Sequence, residues 1–200
     1  MMSLQLEKLD AHIRNATRVR QLGRVMQVVG TLIEAELPGV SVGAIAEVGV
    51  YKGTTAKLIC EAKDDRDLFL FDTFEGMPDE KITTHDDWES NTHTDTSLKS
   101  VQSYLAQYPN ITFIPGKFPE SISLHPDLCL TEKKFSLVNL DVDLYQSTLD
   151  GLEFFYPRMV SGGRLISHNF NLKDSPGGNT PGVKQAFFEY FSESTFRIIE

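Results

Sequence analysis

Apolar and polar positions along the chain fall into two alternating patterns. Short, nearly continuous apolar runs occupy 45–50, 68–71, 111–118, 135–140 and 159–169, and each leaves through a glycine, an acid or a polar pair. Runs of that length, rich in Val, Ile, Phe and Leu, suit strands buried on both faces of a parallel sheet. Between them, 56–63, 98–107, 148–156 and 183–191 space their apolar residues as one-sided helices do. The alternation predicts a doubly wound, mostly parallel α/β sheet with helices on both faces, a Rossmann-like arrangement. Residues 119–134 read as irregular with a short helix near Ser121, and 196–200 (FRIIE) as a last strand. At the front, Leu4, Leu6, Leu9, Ile13, Val25, Val28, Val29 and Leu32 recur at near-helical intervals until Pro38-Gly39. They predict an N-terminal helical segment over 1–38, ahead of a ligand-binding domain over 39–200.

The stretch AEVGVYKGTTAKLI (46–59) combines a strand, a glycine turn and a helix start. Such a corner directs unpaired backbone N–H groups and the positive end of a helix dipole at one point. Gly49 and Gly53 bracket the turn, where absent side chains let backbone come close to a ligand. Asp72 follows the next strand, where doubly wound nucleotide-binding folds keep an acid for ribose hydroxyls. Residues 75–97 form a long polar insert, read as a lid over substrate. His85, Asp86, Asp87 and His93 within it read as solvated loop residues rather than metal ligands.

Composition narrows the partners. The 200 residues carry a formal net charge of −9, which disfavours nucleic acid as a main partner. No apolar run reaches membrane-spanning length and the N-terminus lacks a signal-peptide core, so a cytoplasmic protein without membrane association is expected. Cys60 and Cys129 are expected to be reduced thiols.

Charge at the corner then separates two nucleotide ligands. Dinucleotide sites carry G-x-G-x-x-G, whereas here Glu47, Gly49 and Gly53 give E-x-G-x-x-x-G. A carboxylate beside a pyrophosphate repels it, but beside the ammonium and sulfonium of S-adenosylmethionine it attracts. Glu47 therefore favours a methyl donor over a nicotinamide cofactor, whose oxidoreductase chemistry is the second enzymatic reading. A third reading is a methyltransferase-like protein that binds the donor without transfer.

EVGVYKGTT, LFLFDTFEGMP and NLDVDLYQSTLDGLEFFYPRMVSGGRLI together resemble the macrocin O-methyltransferase family of class I S-adenosylmethionine-dependent methyltransferases. The resemblance implies O-methylation of a small hydroxylated acceptor such as a sugar or glycosylated natural product, generally with Mg²⁺. It implies that Glu47, Gly49, Lys52, Gly53 and Thr54 line the methionine end of the donor, with Asp72, Thr73 and Phe74 at the ribose. Lys117, Phe118 and Ser121 would lie near the adenine. Asp141 takes the metal-ligand position, also facing the donor, and Asp143 that of the general base. Spacing alone agrees to this extent: both acids stand at one strand's carboxyl end, where one can turn to cofactor or metal and the other to substrate. Simple capping of the following helix is the alternative.

The chain departs from the family at His168-Asn169, where two consecutive acids usually complete the metal site with the Asp141 equivalent. His168 and Asn169 would then be metal ligands, with His168 favouring a softer ion such as Zn²⁺, Mn²⁺ or Fe²⁺, or His168 would be a catalytic base, or a structural hydrogen-bonding residue. The family's sheet also ends in an antiparallel hairpin, for which this chain offers one strand. An open sheet edge there suits a homo-oligomer, with a dimer as the expectation.

Overall fold

The computed structural model describes residues 24–29, 32–36, 43–89, 91–168, 170 and 180–191. The chain divides into two units, residues 1–39 and 40–200. In the first, β1 (Arg24–Val29) and β2 (Leu32–Glu36) pair antiparallel, with Val29 opposite Leu32. The helix predicted over this stretch is thereby corrected. RVMQVV carries three valines and LIEAE one isoleucine, and β-branched residues favour strands over a helix of the same apolar spacing. The remainder of the predicted N-terminal helix, and the strand predicted at 196–200, lie outside the described residues.

The second unit is a five-stranded parallel sheet in the order β5-β4-β3-β6-β7. Its strands are β3 (Ala44–Val48), β4 (Leu68–Asp72), β5 (Ile111–Pro115), β6 (Phe135–Leu140) and β7 (Met159–Ser167). The helices are α1 (Thr54–Ala62), α2 (Leu98–Tyr104), α3 (Tyr145–Phe155) and α4 (Pro181–Tyr190). Side chains alternate across a strand, and the core divides accordingly. Ile45, Leu68 and Leu70 meet Ala56 and Ile59 of α1 and Val101 of α2. Ala46, Val48, Phe69 and Phe71 meet Leu152 and Phe155 of α3 on the other face. This is the doubly wound arrangement that the sequence predicts.

The order places a reversal between β3 and β6. From β3 the chain winds out through β4 to β5, then returns to lay β6 on the other side of β3. Ligands of open parallel sheets bind at the carboxyl ends beside such a reversal, because the flanking loops diverge there. Glu47 on β3 stands in register with Asn139 on β6, and Asp141 N–H donates to Val48 O at 2.8 Å. Corner and acid pair are thus adjacent.

Candidate active site at the strand carboxyl ends

Glu47 is the most unusual residue of the sheet. It is fully buried among apolar neighbours, and its only hydrogen bond among the described residues is from Asn139 Nδ2 to Oε1 at 3.0 Å. Oε2 is buried without a partner. Loss of hydration pushes its pKa up from 4.5 to about 8; the Asn139 bond opposes this, and the Asp141 and Asp72 charges add to it. The carboxyl therefore keeps its proton at neutral pH.

The corner after Glu47 is held by the protein itself. Asp72 Oδ2 accepts Val50 N–H at 2.6 Å and Tyr51 N–H at 2.9 Å, while Oδ1 accepts Phe74 N–H at 2.6 Å. Thr73 Oγ1 lies 3.4 Å from Oδ1 as well, so both carboxylate oxygens serve the turn. The two corner glycines sit against neighbouring chain. Gly49, at φ 87°, would place a Cβ 1.9 Å from Asp141 O, and Gly53, at φ 82°, one 2.9 Å from Val101 Cγ1. Their missing side chains leave room for the Asp141 backbone just after β6 and for Val101 of α2. Thr54 begins α1 and is exposed, and Gly53 offers no side-chain cap to that helix.

The insert is bonded back onto this corner. Tyr51 OH and Lys52 Nζ both donate to Asp95, and Thr96 Oγ1 donates to Tyr51 O. Asp95 raises the Lys52 pKa, while Lys52 lowers that of Asp95. His93 packs edge-on against Tyr51, centroids 4.9 Å apart, and Trp88 lies 5.4 Å from His93. Farther along, buried Lys81 donates to Phe118 O at 2.7 Å and to Asp150 Oδ2 at 2.6 Å. Asp86 Oδ1 accepts Tyr145 N–H at 2.7 Å and so caps α3 from 59 positions upstream. The lid expected at 75–97 takes the form of an insert anchored at both of its ends. Asp86, expected to be solvated, is a cap, which also starts α3 earlier than the sequence suggested.

Of the residues expected near ribose and adenine, several face inward. Phe74 and Phe118 are core side chains, 3% and 8% exposed; Phe118 stacks on Phe155 at 5.5 Å. Thr73 Oγ1 donates to Gly76 O and orders the turn. Lys117 pairs with Glu80. Ser121, in the short helix Glu120–Leu124, is 1% exposed, and its Oγ has no hydrogen-bond partner among the described residues. Together with Glu47 Oε2 it is a buried polar atom left unsatisfied along the rim, an arrangement that costs stability unless something binds there.

Across the reversal, Asp141, Asp143 and His168 bring one ligand atom each to within 4.8 Å of one another. His168 Nδ1 lies 3.0 Å from Asp141 Oδ1. The Asp141 carboxylate raises the imidazole pKa, against partial burial. Asp143 has a left-handed backbone, φ 59°, which folds the segment after β6 back on itself. Asn169 lies outside the described residues. Two carboxylates and an imidazole can hold a divalent ion or take up protons from a hydroxyl. Sequence reasoning missed Asn139, Tyr51 and Asp95. An Asn two positions before an acid at a strand end was the available hint for the first; the others depend on tertiary contacts.

The family model described as Macrocin-O-methyltransferase (TylF) matches residues 14–180. The mycinamicin III 3''-O-methyltransferase of Micromonospora griseorubida is 29% identical over 191 residues, 86% of this chain and 68% of that protein. A tetracenomycin-C-type 4'-O-methyltransferase of Streptomyces olivaceus, acting by its name on an 8-demethyl-8-(2,3-dimethoxy-alpha-L-rhamnosyl) compound, is 27% identical over 77% of this chain and 61% of its own length. The solved O-methyltransferase NovP superposes with a TM-score of 0.56 at 25% identity, over 74% of this chain and 63% of that one. The chain spans about two thirds of the length of these relatives.

Proposed function

Because the chain belongs to the macrocin O-methyltransferase family, we propose that it transfers the methyl group of S-adenosylmethionine to a hydroxyl of a small, sugar-bearing acceptor. The observation that carries this reading is Glu47, a buried carboxyl with an unpartnered oxygen at the glycine corner. An acid kept there at a cost to stability suits a ligand that arrives with a positive charge. The ammonium and sulfonium of the donor supply it; a pyrophosphate would not.

In this reading Glu47 and Asn139 receive the amino end of the donor, and Asp72 Oδ1 accepts a ribose hydroxyl. Ser121 Oγ meets the base. Asp143 takes the acceptor's proton as the hydroxyl oxygen attacks the methyl carbon, and the sulfonium leaves as a neutral thioether. Methyl transfer is an in-line displacement, so the rigid, self-bonded corner contributes mainly by positioning. Where the family relation implies a divalent ion, Asp141, Asp143 and His168 would hold it, and it would make the acceptor hydroxyl more acidic. The names of the relatives, which specify sugar positions of natural products, support a glycosidic acceptor here.

The test is methyl transfer from isotopically labelled donor to a panel of glycosides, read by mass spectrometry. Wild-type protein is expected to add one labelled methyl to at least one glycoside, and Asp143→Asn to bind donor with turnover reduced about a hundredfold or more. Label transfer that persists unchanged in that variant would refute the assignment of Asp143.

A further inference from the structure

The three ligand atoms at the far rim differ in kind, and that difference carries an expectation about which ion they take. Asp141 and Asp143 contribute anionic oxygens, whereas His168 contributes an imidazole nitrogen. Nδ1 is shielded from solvent and 3.0 Å from Asp141 Oδ1. Two ligand atoms bound at right angles to one ion, at roughly 2.1 Å each, lie about 3.0 Å apart. The observed spacing therefore needs no rearrangement of this pair.

We propose that Asp141, Asp143 and His168 form a mixed carboxylate–imidazole site that takes a first-row transition-metal dication in preference to Mg²⁺. Two carboxylates neutralise the dication and the neutral imidazole adds no charge. Mg²⁺ is hard, holds its water tightly and gains little by exchanging an oxygen ligand for nitrogen. Mn²⁺, Co²⁺ and Zn²⁺ accept imidazole readily, with affinity rising along that series towards Co²⁺ and beyond. What this ion would do in turnover rests on the function proposed above; that it binds, and in what order of preference, does not.

The experiment uses the full chain, free of any histidine tag and stripped with chelator, titrated calorimetrically with MgCl₂, MnCl₂ and CoCl₂ without donor or acceptor. One site per chain is expected for Mn²⁺ and for Co²⁺, each binding at least about tenfold more tightly than Mg²⁺. In the Mn²⁺ form, pulsed electron paramagnetic resonance is expected to show modulation from one directly bound nitrogen. His168→Ala should weaken Co²⁺ about tenfold or more while leaving Mg²⁺ within a few-fold, and His168→Asp should close the gap between Mg²⁺ and Mn²⁺. Equal affinity for Mg²⁺ and Co²⁺, no ion bound at all, or no nitrogen modulation would each overturn the proposal. The spectrum of the wild-type protein decides it even where a His168 variant fails to fold. Donor binding, measured separately, reports on the methyltransferase reading alone.

Discussion

Replacing Glu47 by Gln tests the physical state of the corner. The side chain is fully buried and its pKa is pushed from 4.5 to about 8, mainly by loss of hydration. An acid whose folded pKa is raised keeps its proton in the native state where the unfolded chain has already lost it. Stability therefore falls as pH rises from about 4.5 through 8, and the loss is complete above that window. At 1.36 kcal/mol per unit, the full cost of carrying Glu47 is about 5 kcal/mol. The glutamine side chain retains the shape and can accept the Asn139 hydrogen bond, but it cannot ionise. Wild type and Glu47→Gln should differ by about 1 kcal/mol at pH 5, and the variant should be more stable by about 4 kcal/mol at pH 8. Urea unfolding across that range, with the slope against denaturant held common, measures the difference. A gap that stays constant with pH, or a variant less stable at pH 8, would refute a protonated Glu47 in the ligand-free protein.

Gly49→Ala should cost roughly 3 kcal/mol or more, since its Cβ falls 1.9 Å from Asp141 O on a left-handed backbone; thermal unfolding reads this. Lys81→Ala leaves Asp150 without its cation and should lower stability by about 3 kcal/mol, with faster proteolytic cleavage within 75–97 as the local readout. Asp86→Ala removes the cap on Tyr145 N–H and should cost about 1 kcal/mol in urea unfolding. Ser97→Ala, at the capping box of α2, should cost a similar amount and leave donor binding unchanged.

The sheet was legible because strands buried on both faces must be apolar throughout. Phe135–Leu140 is bounded as its apolar run suggested, and Leu68–Asp72 ends on its acid. Glu47 and Asp141 were legible for the complementary reason: a charge inside or at the end of such a run is conspicuous. What was lost depended on register or on distant contacts. Asn139 becomes the partner of Glu47 only once β3 and β6 are aligned. Asp86 looked solvated because the helix it caps begins 59 positions later. That Phe74 and Phe118 also pack into the core shows only once the strands they follow are assembled. At the front, Val25, Val28, Val29 and Leu32 satisfied helical spacing, but the β-branching of the three valines went with paired strands.

The central claim is that this rim binds S-adenosylmethionine through Glu47, and proton-linked calorimetry tests it most directly. Donor is titrated into the full chain at pH 6.5, in two buffers that differ in ionisation enthalpy, alongside Glu47→Gln. The account predicts one donor per chain with close to one proton released, because the incoming ammonium ionises a carboxyl whose pKa stood at about 8. In Glu47→Gln the released proton should disappear and affinity should fall about tenfold or more. Absence of donor binding by the wild-type protein, or binding with the same proton balance and affinity in the variant, would contradict it.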